Sequence, residues 1–80
     1  MKVVRVHYFA MLREQAQCAE ETVETDAATP AALYEELRRR HGLALPATQL
    51  KVAIDDDFVA WEVPLADGAR VAFIPPFAGG

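Results

Sequence analysis

The side chains that most often carry out chemistry are sparse and scattered in this 80-residue chain. His7, His41 and the single cysteine, Cys18, lack the close spacings of a zinc site. The three aspartates at 55–57 lack the alternate acids, glycine and distal glutamate of a calcium loop, and we interpret them as a solvated turn. The four glycines form no phosphate-binding loop. We therefore expect no bound metal and no bound cofactor.

The C-terminal stretch is different, because its reactive group would be the main-chain carboxylate. A strand-like segment at 70–74 is followed by Pro75 and Pro76, which cannot donate to a sheet ladder. The proline pair favours an extended chain, and the stretch from Pro75 to Gly80 can reach roughly 20 Å. Gly79 and Gly80 have no Cβ, so they can enter a narrow channel and let an enzyme approach the Gly80 carboxylate.

A C-terminal Gly-Gly pair alone is a weak signal, because a frayed or added terminus looks the same. Here the pair directly follows a strand, two prolines and Phe77-Ala78. That context predicts a folded domain at residues 1–76 and a flexible, extended reactive tail at residues 77–80. Cys18 is a weaker candidate nucleophile, since no histidine lies near it in the sequence.

Length and charge limit the functions that remain. Eighty residues fit one domain with one small core and little room for an internal cofactor cavity. The net charge of −4 disfavours nucleic acid and anionic membranes as partners, since both require a basic face. A lone cysteine, the absence of an apolar run near the ~20 residues of a membrane span, and an N-terminus without a signal-peptide core favour a cytoplasmic location.

Hydrophobic periodicity predicts a helix at 29–42 as the main helix. Thr29 is its expected N-cap, Pro30 its first residue and Gly42 its stop. We expect His41 to meet free carbonyls at the helix end. The other predicted elements are strands at 3–10, 20–25, 51–55, 58–61 and 70–74, and a short helix at 11–16.

These elements predict an α+β fold, with one main helix packed on one face of a mixed four- to five-stranded sheet. In the first strand Val4, Val6 and Tyr8 alternate toward the core, which leaves Phe9 on the opposite side. That opposite face is expected to stay uncovered.

The sequence resembles the ubiquitin-like sulfur carriers, and within them the small subunits of molybdopterin synthase. The resemblance spans essentially the whole chain and is carried by several short matches: Phe9-Ala10, Arg13-Glu14, Thr29, Ile54 to Val59, Pro64 to Gly68, and Val71 to Gly80. It implies a β-grasp fold in which the first and last strands are parallel central neighbours. It also implies that Phe9, Phe58 and Ile74 form an apolar partner-binding patch, and that Pro75 and Pro76 and the tail residues Phe77 and Ala78 bind the partner as well.

The resemblance further implies a mechanism. A ubiquitin-activating-like enzyme would use ATP to adenylate Gly80, and a sulfur donor protein would displace AMP to leave a C-terminal thiocarboxylate. The tail, with Gly79 beside the reactive end, would then enter the synthase large subunit and give its sulfur to a cyclic pyranopterin. Two small and two large chains are expected. The small chain is not catalytic alone.

The chain departs from the pattern at position 55 and at positions 69 and 70, and two alternatives stay open. The family often has asparagine at position 55 and acidic residues at 69 and 70, where this chain has Asp55, Ala69 and Arg70. We expect Arg70 to pair with an acid on a partner or at a sheet edge. The chain could instead carry sulfur for thiamine thiazole, cysteine or tRNA thiolation, or be a β-grasp binding module with an inert tail.

Overall fold

The first and last strands lie side by side in the middle of the sheet. The computed structural model of the protein describes residues 1–76, so the predictions for Phe77, Ala78, Gly79 and Gly80 lie outside the described residues. The elements are β1 (Lys2–Tyr8), α1 (Met11–Ala16), β2 (Glu20–Thr25), α2 (Pro30–His41), a 3-10 turn (Ala47–Gln49), β3 (Lys51–Ile54), β4 (Asp57–Val59) and β5 (Arg70–Ile74).

The five strands form one mixed sheet in the order β2-β1-β5-β3-β4. β1 and β5 are parallel, and the other neighbouring pairs are antiparallel. The parallel pair requires a long crossover, which the intervening chain with α2 supplies. The predicted α+β, β-grasp architecture is confirmed, with five strands.

Helix α2 begins and ends where its sequence signals predict. Thr29 Oγ1 accepts the Ala32 N–H at 3.2 Å, and Pro30 opens the helix. At the other end Gly42 has φ +70°, a left-handed conformation that favours glycine, and its N–H donates to the Arg38 carbonyl at 2.8 Å. The basic last turn complements the helix dipole.

Alternation along the strands divides the sheet into a core face and an open face. The core face is covered by α2, whose Leu33, Tyr34 and Leu37 are fully buried. They share one core cluster with strand residues Val4, Val6, Tyr8, Val23, Val52, Val71 and Phe73. The open face carries the intervening residues of each strand, as the alternation predicts.

Three strands end earlier than predicted, and one of them, β3, stops one residue short, at Ile54. β1 ends at Tyr8 because Ala10 has φ +52° and turns the chain into α1. β4 ends at Val59, and the chain then returns over the core, where the Trp61 ring stacks on Phe73 at 5.8 Å between centroids. The strand therefore ends where the partly buried Trp61 side chain packs against the core.

Candidate functional site

The chain leaves the sheet toward its C-terminus from a central position. Ile74, the last residue of β5, pairs with Lys51 of β3, while Phe73 pairs with Tyr8 of β1. Pro75 and Pro76 follow directly and belong to no strand, as their lack of a backbone N–H predicts. The chain therefore leaves the sheet between β1 and β3, at one end of the open face.

A cross-sheet row of residues forms the floor of an apolar hollow on this face. Strand pairing aligns His7, Ala72, Ala53 and Phe58 across β1, β5, β3 and β4. The hollow encloses about 270 Å³ and is lined by these four residues and by Phe9, Asp56, Arg70, Val71 and Ile74. The structure thus brings together Phe9, Phe58 and Ile74, the three residues that the sequence predicts as an apolar patch.

The two aromatic side chains of this patch, Phe9 and Phe58, are unusually exposed for large apolar residues. Phe58 is 66% exposed and Phe9 is 47% exposed, although burying either ring would be favourable. The Lys51 ammonium lies 5.7 Å from the centre of the Phe58 ring, a cation–π distance. Exposed apolar side chains gathered around a hollow are typical of a protein-binding surface.

A second hollow continues from the first to the start of the tail. It encloses about 670 Å³ and is lined by Phe58, Ile74, Pro75 and Pro76 together with Thr48, Gln49, Leu50 and Lys51. Phe58 and Ile74 border both hollows. The apolar surface is therefore continuous from Phe9 to the last described residue.

Ala10 holds Phe9 in its exposed position at the cost of backbone strain. Its φ of +52° and ψ of −129° form a conformation that side chains with a Cβ rarely adopt. The carbonyls of Phe9 and Ala10 accept hydrogen bonds from Leu12 and Arg13, which begins α1. This feature has no signal in the sequence, because alanine by itself favours a helix.

Asp55 and Arg70, which both depart from the family pattern, are hydrogen-bonded to each other. Arg70 donates its N–H to Asp55 Oδ1 at 3.1 Å, and the Asp55 N–H donates to the Arg70 carbonyl at 2.9 Å. Asp55 and Asp56 have φ +51° and +75°, the left-handed pair of a tight hairpin turn between β3 and β4. The three aspartates are thus a turn, as predicted, and its first carboxylate fixes the start of β5.

The other candidate side chains, Cys18 and His41, have surroundings that differ from those of a catalytic pair. Burial, and then the nearby Glu21 carboxylate, raise the pKa of the Cys18 thiol, which makes it a poor nucleophile. His41 Nε2 lies 2.6 Å from Glu21 Oε2, so the expectation that His41 meets helix-end carbonyls is wrong. Among residues 1–76, no three histidine, cysteine, aspartate or glutamate side chains are grouped to hold a metal ion. No helix in this part of the chain is long and apolar enough to cross a membrane.

Comparison with known proteins agrees with this geometry. The model described as "ThiS family" matches residues 6–80. The chain belongs to the ThiS family. This ThiS-family chain is 35% identical over 81 residues to the molybdopterin synthase sulfur carrier subunit of Escherichia coli (strain K12), an alignment that covers 98% of this chain and 100% of that protein.

Solved structures show the same fold. A putative molybdopterin converting factor, subunit 1, from Pyrococcus furiosus is 29% identical with a TM-score of 0.79, covering 95% of this ThiS-family chain and 99% of that chain. A chain in the complex of subunits 1 and 2 of molybdopterin-converting factor from Helicobacter pylori 26695 is 23% identical with a TM-score of 0.68. The match covers 98% of this ThiS-family chain and 99% of that chain. At that identity the second likeness supports the fold alone.

Proposed function

We propose that this chain is the sulfur-carrying small subunit of a molybdopterin synthase, and that Gly80 carries the sulfur as a thiocarboxylate. The observation that supports it most is the continuous apolar surface from Phe9 to Pro76, which ends where the tail begins. A carrier needs such a surface, because it must bind one enzyme to be charged and another to be discharged. The curated relative from Escherichia coli bears the name of this function.

Charging of the tail is an acyl-activation reaction. A Gly80 carboxylate oxygen attacks the α-phosphorus of ATP in the adenylating enzyme, pyrophosphate leaves, and an acyl-adenylate forms. A sulfide equivalent from a donor protein then attacks the Gly80 carbonyl and displaces AMP, leaving the thiocarboxylate. ATP is bound by the partner, and the small chain supplies the carboxylate and the docking surface.

Discharge takes place in the large subunit. Gly79 and Gly80 enter its active site, and the sulfur is transferred to a cyclic pyranopterin precursor of the molybdenum cofactor. From Pro76 the following four residues can extend about 13 Å, enough to pass through a channel in the partner. We propose a complex of two small and two large chains in the cytoplasm, with the acid–base groups supplied by the large subunit.

The docking residues divide into two groups. Phe9, Phe58 and Ile74 anchor the domain through the apolar hollows. Pro75, Pro76, Phe77 and Ala78 guide the tail toward the partner's active site. Because Phe58 is the most exposed of the three anchors, it has the most area to bury on binding.

The test is a reconstituted sulfur-transfer assay. The thiocarboxylate form of the chain is mixed with the large subunit and the cyclic pyranopterin, and the dithiolene product is measured. Product in proportion to the carrier supplied supports the proposal. Transfer to a thiazole, cysteine or tRNA acceptor but not to the pyranopterin would reassign the chain to another pathway.

A further inference from the structure

Two arginines occupy neighbouring positions at one end of the open face. Arg5 of β1 and Arg70 of β5 are direct partners in the parallel register. Their backbones are about 4.8 Å apart, the usual spacing of neighbouring strands. Both are exposed, and the residues beside them in each strand, Val4, Val6 and Val71, are buried on the core face. Like charges placed side by side in a sheet repel each other and destabilise the folded chain.

Within residues 1–76, nearby carboxylates form an ion pair with only one of these two arginines. Glu20 Oε2 lies 3.3 Å from the Arg5 guanidinium and forms an ion pair with it, and the same oxygen lies 3.3 Å from His7 Nε2. His7 Nε2 is buried and makes no well-aligned hydrogen bond. Within residues 1–76, the Arg70 guanidinium forms no ion pair within 4.0 Å, although Asp56 lines the same hollow.

Asp55 fixes the backbone of Arg70 without neutralising its side chain. The carboxylate accepts the Arg70 main-chain N–H, and the Asp55 N–H donates to the Arg70 carbonyl. The expected pairing of Arg70 with a sheet-edge carboxylate is therefore absent among the described residues, and the guanidinium remains directed at the open face. An exposed cation whose backbone is held in place, on an otherwise acidic chain, is suited to recognition.

We propose that Arg70, with the Glu20-paired Arg5 beside it, binds a carboxylate side chain of the synthase large subunit, beside an apolar side chain that enters the hollow. The hollow is lined by Arg70 itself, and its floor of Ala72 and His7 lies one row away, about 7 Å along the strands. The large subunit should therefore present an apolar side chain and a carboxylate that are separated by the same distance. This inference rests on the proposed function, because it assigns a specificity determinant to the same docking face.

A guanidinium pair could also attract nucleic acid, but the surrounding charge argues against it. The chain carries a net charge of −4, and binding to phosphate backbones requires several cations spread over a face. Two adjacent guanidinium groups beside an apolar hollow instead match the mixed surface of a protein partner.

The test measures Kd for the large subunit of the same organism with wild type, Arg70→Glu and Arg70→Gln. At about 50 mM salt we expect Arg70→Glu to raise Kd about tenfold or more and Arg70→Gln to raise it about threefold. The difference should shrink in about 0.5 M salt, where screening is strong. Arg39→Glu is the matched control, because Arg39 is an exposed residue of α2 on the opposite side of the sheet.

Each outcome separates this inference from the function on which it rests. Equal Kd values for Arg70→Glu and Arg39→Glu would overturn the inference and leave the sulfur-carrier proposal standing. A wild-type chain that fails to bind the large subunit would overturn the proposed function itself. A dimer of the chain alone that is dispersed by Arg70→Glu would show a second copy as the occupant, and would also overturn the inference. Far-ultraviolet circular dichroism confirms that each variant is folded.

Discussion

The Tyr8 hydroxyl donates a 2.5 Å hydrogen bond to Glu21 Oε2, and that oxygen also lies 2.6 Å from His41 Nε2. One carboxylate oxygen therefore joins β1, β2 and the end of α2 on the core side of the sheet. The Tyr8 and His41 rings meet edge to face at 5.8 Å. This contact connects the helix to the strand that lies beside β5, and so supports the docking face from beneath.

Acid should weaken this contact. Burial alone would raise the pKa of Glu21, but hydrogen bonds from Tyr8 and His41 outweigh it, and the pKa lies below its usual value. A lowered pKa stabilises the fold above the unfolded value of about 4.3, and this contribution is lost as pH falls through the folded value. We expect Glu21→Gln to lower the unfolding free energy by about 1–2 kcal/mol at pH 7, and by less near pH 3.

Urea unfolding at the two pH values measures this effect. Glu24→Gln is the control, because Glu24 is exposed on the same strand. An equal loss for Glu21→Gln at both pH values, or an equal loss in the control, would show that the ionised carboxylate does not stabilise the fold.

At alkaline pH, both tyrosine side chains should resist ionisation as long as the chain is folded. Burial, and then the hydrogen bond to Glu21, raise the pKa of Tyr8 far above its usual value of about 10. Burial also raises the pKa of Tyr34, whose hydroxyl donates to the Leu45 carbonyl at 2.6 Å. The folded state thus favours the neutral phenols, and its stability should fall once pH exceeds about 10, where unfolded tyrosines ionise.

The near-ultraviolet absorbance of tyrosinate tests this directly, since the chain has only these two tyrosines. We expect the signal to appear together with loss of the circular dichroism of the fold. Tyrosinate absorbance near pH 10 in a chain that is still folded would contradict the expectation.

Relief of strain at Ala10 should stabilise the protein. Ala10→Gly removes the Cβ from a left-handed backbone, and the strain released, of order 1–3 kcal/mol, exceeds the ~0.5–1 kcal/mol of added unfolded-chain entropy. We expect a gain of about 1 kcal/mol in urea unfolding. Ala32→Gly, within α2 and exposed, should instead lose about 0.5–1 kcal/mol. A loss in both variants would mean that Ala10 is not strained.

The apolar anchor can be removed without disturbing the core. Phe58→Asp places a charge where a partner would bury the ring, and we expect Kd for the large subunit to rise about thirtyfold or more. Stability should change by less than about 0.5 kcal/mol, since the side chain is mostly exposed. Val3→Asp, at an exposed position of β1 on the same face, should bind like wild type. If both variants bind like wild type, the partner docks elsewhere.

Local signals in the sequence predict most of the fold. The alternation of Val4, Val6 and Tyr8 identifies the core face, and Thr29 with Gly42 delimits α2, because these rules act within a few residues. The placement of Phe9, Phe58 and Ile74 on the open face follows from the same alternation, and their docking role, which the family resemblance implies, stays a prediction.

The contacts that the sequence does not predict are long-range. The contacts between Glu21 and His41 and between Asp55 and Arg70 join residues 20 and 15 positions apart. Packing of α2 on the sheet brings the first pair together, and pairing of β3 with β5 brings the second. His7 and Lys51 border the hollows for the same reason. Alternation along β5 predicts that Arg70 shares one face of the strand with Ala72 and Ile74. Only the parallel register of β1 and β5 shows that Arg5 lies beside Arg70.

The most direct test of the sulfur-carrier function is the intact mass of the chain after incubation with the adenylating enzyme of the same organism, ATP and a sulfur donor. We predict a species heavier by the difference between one sulfur atom and one oxygen atom, located by fragmentation at Gly80. A chain that lacks Gly80 should fold with unchanged stability and show no such species. If the full chain binds the adenylating enzyme and its mass never changes, Gly80 does not carry sulfur and the proposed function is wrong.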